Sequence, residues 1–186
     1  VIPESQYQRF SFGEVAAAPS AQAGQAGPRF QVVDLSASYD GSKLSGPEGF
    51  FMDADGALFI ADTGNDRVVK LDADGSFVAA FGKSGSGEDE LRGPVSVARA
   101  GTTLAVVERA NHRVHYLSSR RLRHDSIVGS RGIGAPGRFT TPQKVVAHQG
   151  ALFVLDAGNR RIQILEPDGT IRDDTVADPS VKYTPV

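Results

Sequence analysis

Eight residues recur three times in this chain, and the interval between the copies limits the possible folds more than any other feature. Ala61-Asp62-Thr63-Gly64-Asn65-Asp66-Arg67-Val68 returns as Val107-Glu108-Arg109-Ala110-Asn111-His112-Arg113-Val114 and as Leu155-Asp156-Ala157-Gly158-Asn159-Arg160-Arg161-Ile162. Each copy reads apolar residue, acid, four-residue link with Asn third, Arg, β-branched residue. The acids stand 46 and 48 residues apart. A period of that size marks a supersecondary unit stacked on copies of itself, as in propellers and solenoids.

The spacing inside the motif is that of a hairpin. Asp62 and Arg67, Glu108 and Arg113, and Asp156 and Arg161 flank the same link, so each pair is expected to face across two antiparallel strands. A cross-strand charge pair contributes roughly 0.2 to 1 kcal/mol. Asn65, Asn111 and Asn159 share one turn position, and Asn tolerates a left-handed backbone there. A catalytic group seldom has to occur once per repeat, so all nine residues are read as structural.

Around the motif, short Val, Ile, Leu and Phe runs alternate with Asp-Gly turns, the strongest short hairpin signal. No window carries an apolar stripe at helical spacing, so the chain is all-β. Residues 47–93, 94–141 and 142–176 each lay out four short strands. Leu58-Phe59-Ile60-Ala61 lacks polar alternation, which implies a strand covered on both faces. Residues 29–46 resemble the last strand and outgoing loop of a preceding unit. Residues 1–28, rich in Ala, Gly, Gln, Ser and Pro, are expected to form a flexible tail, or an arm using Tyr7, Phe10 and Phe12; residues 177–186 form a C-terminal tail. The loops Gly82-x-x-Gly85-x-Gly87 and Gly129-x-x-Gly132-x-Gly134 repeat as well, which predicts matched positive φ angles.

Together these features resemble the NHL-repeat β-propellers. The resemblance is carried by Pro47-x-Gly49, Asp55-Gly56, the core from Phe59 to Val68, Asp74-Gly75 and Leu91-x-x-Pro94, and it covers about residues 44 to 172. It implies four-stranded blades, the first strand lining a central channel and the fourth outermost. Three blades and one orphan strand are fewer than the four to eight with which propellers close. Either two chains complete one ring, or the arc docks on another protein, or the sequence is a piece of a longer chain; the expected role is a non-catalytic interaction or scaffold subunit, with a protein or a second copy of itself as partner. Family settings favour a secreted or periplasmic bacterial location, a preference to which a first residue of Val1 rather than Met adds, although a cleaved signal and a shortened sequence would look alike.

The chain has no Cys, a net charge of -2 and no apolar run long enough for a membrane helix. Related lyase and lactonase propellers hold an axial metal, yet only His148 is placed near the channel. His112 is read in the variable turn position, His115, three residues on, as pointing to the opposite face along a strand, and His124 as lying in a polar turn. Asp53-x-Asp55-Gly56 and Asp72-x-Asp74-Gly75 faintly resemble calcium loops but lack the closing acid. No cofactor or metal is expected. Candidate partner contacts are Phe30 and Val32 on the orphan strand, the acidic Glu88, Asp89 and Glu90, and Arg120, Arg121 and Arg123 on one hairpin tip. RNA binding by those arginines is disfavoured, because no aromatic residues interleave with them as stacking platforms.

Overall fold

The computed structural model of the chain describes residues 7–11, 30–35, 37–172 and 176–177. β1 (Tyr7–Ser11) and β2 (Phe30–Asp34) pair in parallel, and β3 (Ser38–Tyr39) and β4 (Ser42–Lys43) form a small antiparallel ladder. Three four-stranded antiparallel sheets follow. The first holds β5 (Gly49–Met52), β6 (Leu58–Asp62), β7 (Arg67–Leu71) and β8 (Phe77–Phe81). The second holds β9 (Pro94–Ala100), β10 (Thr103–Glu108), β11 (Arg113–Ser118) and β12 (Arg123–Val128). Past β13 (Ser130–Arg131) and β14 (Arg138–Phe139), the third holds β15 (Pro142–His148), β16 (Ala151–Asp156), β17 (Arg161–Leu165) and β18 (Val176–Ala177). Each sheet is a meander with its strands in sequence order.

The Asp-Gly turns make themselves. The Asp53 carboxylate accepts the backbone N–H groups of Asp55 and Ala57, both at 3.0 Å, and Gly56 takes φ 86°. In the next turn Asp72 and Asp74 both accept the Ser76 N–H, at 2.9 and 2.8 Å. Hydrogen bonds from Ser76 and from the Asp72 carboxyl hold Asp74 down at about 2, while the same link to Asp74 raises Asp72. Backbone amides thus occupy one oxygen each of Asp53, Asp72 and Asp74.

The sheets stack face to face as blades. Phe59, Ala61, Val68 and Phe81 of the first pack on Val97, Leu104, Val106 and Leu117 of the second. Ala105, Val107, Val114 and Tyr116 of the second pack on Val145, Leu152, Val154 and Leu165 of the third. β6 is buried along its whole length, which is why its sequence does not alternate. β5, β9 and β15 run side by side at the inner edge. They approach so closely that a Cβ on Gly49 would lie 3.0 Å from the Ser96 Cα.

Three details differ from the sequence expectation. β12 begins at Arg123, inside the stretch read as a tip, because Leu122 turns inward and is buried. Among the described residues the third sheet's outer strand, expected near Thr170 to Val176, is regular at β18 alone, paired with Arg161 and Ile162, while Ile171 bridges Leu165 before it. Tyr7–Ser11, expected in a tail, forms β1 against β2. Phe30 and Val32 lie on β2, with their side chains outside the described residues, as are the remainder of both expected tails.

Candidate functional site

The motif columns come together in space and reach further than a hairpin. Asp62 faces Arg67, Glu108 faces Arg113 and Asp156 faces Arg161 across the strand pairs. The Arg Nε to carboxylate distances are 2.7, 2.6 and 3.0 Å. All three carboxylates are fully buried and the guanidiniums nearly so. The remaining guanidinium N–H groups donate to backbone carbonyls in the outgoing loop of the preceding unit. Arg67 reaches Tyr39 and Ser42 (2.9 and 3.1 Å), and Arg113 reaches Ser86, Gly87 and Glu90 (2.6, 3.2 and 3.0 Å). Arg161 reaches Gly134 and Ala135 (2.9 and 2.8 Å) and also Arg138.

The second oxygen of each acid accepts a backbone N–H where the same loop ends. Ser45 donates to Asp62 at 2.7 Å, Arg92 to Glu108 at 2.9 Å and Thr140 to Asp156 at 2.7 Å. The Asn amide completes the arrangement by donating both to the acid and to a loop carbonyl. Asn65 reaches Lys43, Asn111 reaches Gly85 and Asn159 reaches Gly132, at 2.8, 2.9 and 2.9 Å. Acid, Asn and Arg are therefore a latch that fastens each blade to the one before it. The scale of an exposed cross-strand pair does not apply. Removing one partner of a buried, hydrogen-bonded ion pair costs about 3–5 kcal/mol, because the other charge is left stranded.

Two expectations about the turns change accordingly. The left-handed residue is not Asn but its successor: Asp66, His112 and Arg160 have φ of 51, 54 and 52°. Asn is needed for the reach of its amide. Likewise, Gly82 and Gly129 share positive φ (107 and 89°), but Gly87 and Gly132 do not. A Cβ at Gly82 would meet Leu91 at 2.8 Å, and one at Gly129 would strike the Phe139 ring.

The left-handed residue supplies a forward contact. Asp66 accepts the Gly93 N–H at 2.7 Å and His112 Nδ1 accepts the Thr141 N–H at 3.0 Å. Both donors precede the Pro that opens the next blade. To accept, His112 Nδ1 must carry no proton, and burial, followed by the Arg131 charge, lowers the ring's pKa, with Asp156 pulling the other way. The folded value lies below the ordinary one, so this contribution to stability is whole above 6.5 and is lost as pH falls through the lowered value. His112→Asp, which copies Asp66, is expected to show a smaller drop in urea midpoint between about pH 7 and pH 5 than the wild type. Parallel decreases would show that the contact carries no such dependence.

Sequence reasoning missed the residue seven places after each acid. That column holds Val69, His115 and Gln163. His115 is fully buried on β11, with Nδ1 3.2 Å from Glu108 and Nε2 2.9 Å from His124 Nδ1. Gln163 donates to Arg138 (2.9 Å) and Asp156 (3.3 Å), and accepts the Gly137 N–H at 2.8 Å. His112 is in the turn, as expected, so it and His115 do not share a strand. His124 lies on β12, not in a turn. The available signal was a polar residue recurring at one column of otherwise apolar strands. His148 ends β15, exposed and edge-on to Phe153. Among the described residues no three His, Asp or Glu side chains gather to hold a metal ion.

The charged candidates divide by environment. Arg120 and Arg121 are exposed on the β11–β12 turn and Arg123 is exposed at the start of β12. Lys70 Nζ from the first blade donates to the Ser119 and Arg120 carbonyls at 2.9 and 3.1 Å. Glu88 and Asp89 are exposed, whereas Glu90 braces its own loop. Its carboxylate accepts the Gly87 and Ser86 N–H groups at 2.9 and 3.0 Å, which lowers its pKa. Between blades, Arg109 holds both Glu48 oxygens (2.9 and 2.8 Å) and Arg99 holds Asp53 (2.6 Å). Part of the opposition between the acidic and basic units is thus spent within the chain.

The near face of the first blade is largely covered, with Leu58, Ile60 and Leu71 buried against Tyr39, Leu35 and Leu44, but single positions on the outer faces expose what is buried inside the stack. Phe50, opposite Ile60, is 69% exposed, whereas Val97 and Val145 at the same register are 4% and 2% exposed. On the far face Leu155 is 39% exposed, whereas Ala61 and Val107 in its column are 0% exposed. Val146 and Met52 are also exposed, and Leu35, Pro47, Met52 and Leu58 line a shallow apolar groove beside Phe50.

No protein-family model matches the chain, and no curated protein matches it. Solved structures do. The streptogramin B lyase structure is 19% identical with a TM-score of 0.54, covering 73% of this chain and 42% of that one. A chain of the nidogen/laminin complex gives 18% and 0.57, covering 73% and 48%. BamB from Moraxella catarrhalis gives 16% and 0.53, covering 75% and 41%. The chain thus spans less than half the length of these structures, and its blades are those of a β-propeller.

Proposed function

We propose that the chain is a non-catalytic interaction module, a run of NHL-type propeller blades that serves as a subunit of a protein assembly through its two end faces. The observation that carries this reading is the register comparison: one side-chain column is buried at both internal blade contacts and exposed at the outer face. The latch residues support it, since their polar groups are committed to neighbouring loops. Apolar faces suit a protein partner better than nucleic acid, whose phosphates are bound by charge. The nidogen/laminin structure is titled as a protein complex and the streptogramin structure as a lyase; likenesses at this identity speak to the fold.

Binding that favours the folded state raises its apparent stability with concentration. The melting temperature is therefore expected to climb when the protein is concentrated about a hundredfold in the micromolar range. A concentration-independent melt would count against the reading.

A further inference from the structure

We propose that the end of the stack opposite the latches is a docking surface for a protein segment whose acidic centre is flanked by cationic residues, with Arg120, Arg121 and Arg123 holding that centre. This surface is separate from the outer faces described above, so the two can fail independently.

The latches and outgoing loops occupy one end of every blade, so the turns between third and fourth strands lie at the other. Two of these turns are clasped by the blade before them. Lys70 Nζ, three residues after Arg67, donates to the Ser119 and Arg120 carbonyls at 2.9 and 3.1 Å. Tyr116, three residues after Arg113, donates its hydroxyl to the Glu166 carbonyl at 3.0 Å. The three turns therefore stand in a row, fixed through backbone carbonyls rather than through their charged side chains. Their signs alternate. The first turn carries Asp72 and Asp74, and the third carries Asp168, with Glu166 engaged by Arg172. Between them stand Arg120, Arg121 and Arg123.

No structural task engages those three arginines. The latch arginines are buried in hydrogen bonds, and Arg99 and Arg109 are paired across blades. Arg120, Arg121 and Arg123 are exposed, and among the described residues their guanidiniums make no hydrogen bond or ion pair. The carboxylate of Asp125, the next acid along β12, makes none either. The turn itself is rigid: Leu122 is buried at φ 48°, and its N–H donates to the Ser118 carbonyl at 2.8 Å. Three like charges are thus held side by side on a fixed backbone, a self-repulsion that an acidic partner relieves.

The alternation selects the class of partner. A uniform polyanion, whether RNA or an anionic bilayer, would meet an acidic turn on either side of the basic one. A protein segment can carry both signs, and complementary fields along the row decide which segment fits and in which register.

The probe is a fluorescent peptide with a Glu-Asp-Glu centre and Lys-Lys flanks joined by Gly-Ser linkers. Its control has the same composition, shuffled so that the signs no longer form blocks. Anisotropy titrations at low salt are expected to show the block peptide binding about tenfold more tightly than the shuffled one. The triple variant Arg120→Ser, Arg121→Ser, Arg123→Ser is expected to keep the wild-type circular dichroism and urea midpoint while losing the preference. Asp168→Asn, which keeps the acceptor of the third turn and removes its charge, is expected to lose part of it. Equal binding of the two peptides, or a preference that survives in the triple variant, would overturn the proposal. So would a lowered urea midpoint in that variant, which would make the arginines structural. Mixed-sequence RNA or phosphatidylserine vesicles binding more tightly than the block peptide through the same arginines would overturn it as well.

Discussion

Arg113→Ala is expected to lower the unfolding free energy by about 3–5 kcal/mol, the cost of leaving a buried partner charge unpaired. Glu108 is fully buried, and Arg113 is its charged partner at 2.6 Å. The substitution also removes three donors from the carbonyls of Ser86, Gly87 and Glu90. Arg113→Lys supplies charge without the fork of donors and is expected to recover only part of the loss. Urea unfolding followed by circular dichroism measures the difference. A loss below about 1 kcal/mol, the scale of an exposed pair, would refute the latch.

Phe139→Ala is expected to cost about 3–5 kcal/mol, the range for deleting a buried aromatic ring. Phe139 plugs the loop between the second and third blades, fully buried against the core that joins them. Its neighbour Thr140 is held by Asp156 at 2.7 Å, so the loop cannot follow the ring inward to fill the space. Leu91 fills the same place between the first and second blades, and Leu44 fills it, half-buried, at the near face. The same denaturant measurement should therefore rank Phe139→Ala above Leu91→Ala and place Leu44→Ala last. If Leu44→Ala cost as much as the others, the near face would already be covered as completely as the internal seams.

The sequence was most legible where a rule is local. Two residues flanking a four-residue link must face each other if the link is a hairpin turn, and Asp62, Glu108 and Asp156 do face their arginines. Meander order and the doubly covered β6 followed from the same kind of argument, from turn chemistry and the absence of polar alternation. What stayed hidden depends on distance along the chain. Arg67 binds the carbonyl of a residue 28 positions earlier, and backbone carbonyls carry no sequence signature. The latch therefore looked like a surface pair. The Glu108–His115–His124 chain was invisible for a related reason: a one-residue irregularity between β11 and β12 sets Leu117 opposite His124, so alternation alone could not bring the two imidazoles together. The left-handed position was misplaced by one residue because Asn suits either role, and only the amide contacts distinguish them.

The central claim is that the chain serves as a subunit of a protein assembly through apolar positions left exposed on its outer blades. The most direct measurement is the molar mass of the purified wild-type chain by light scattering after size exclusion. The account predicts a mass above that of the 19.7 kDa chain. A stable, monodisperse species at 19.7 kDa across the micromolar range would contradict it.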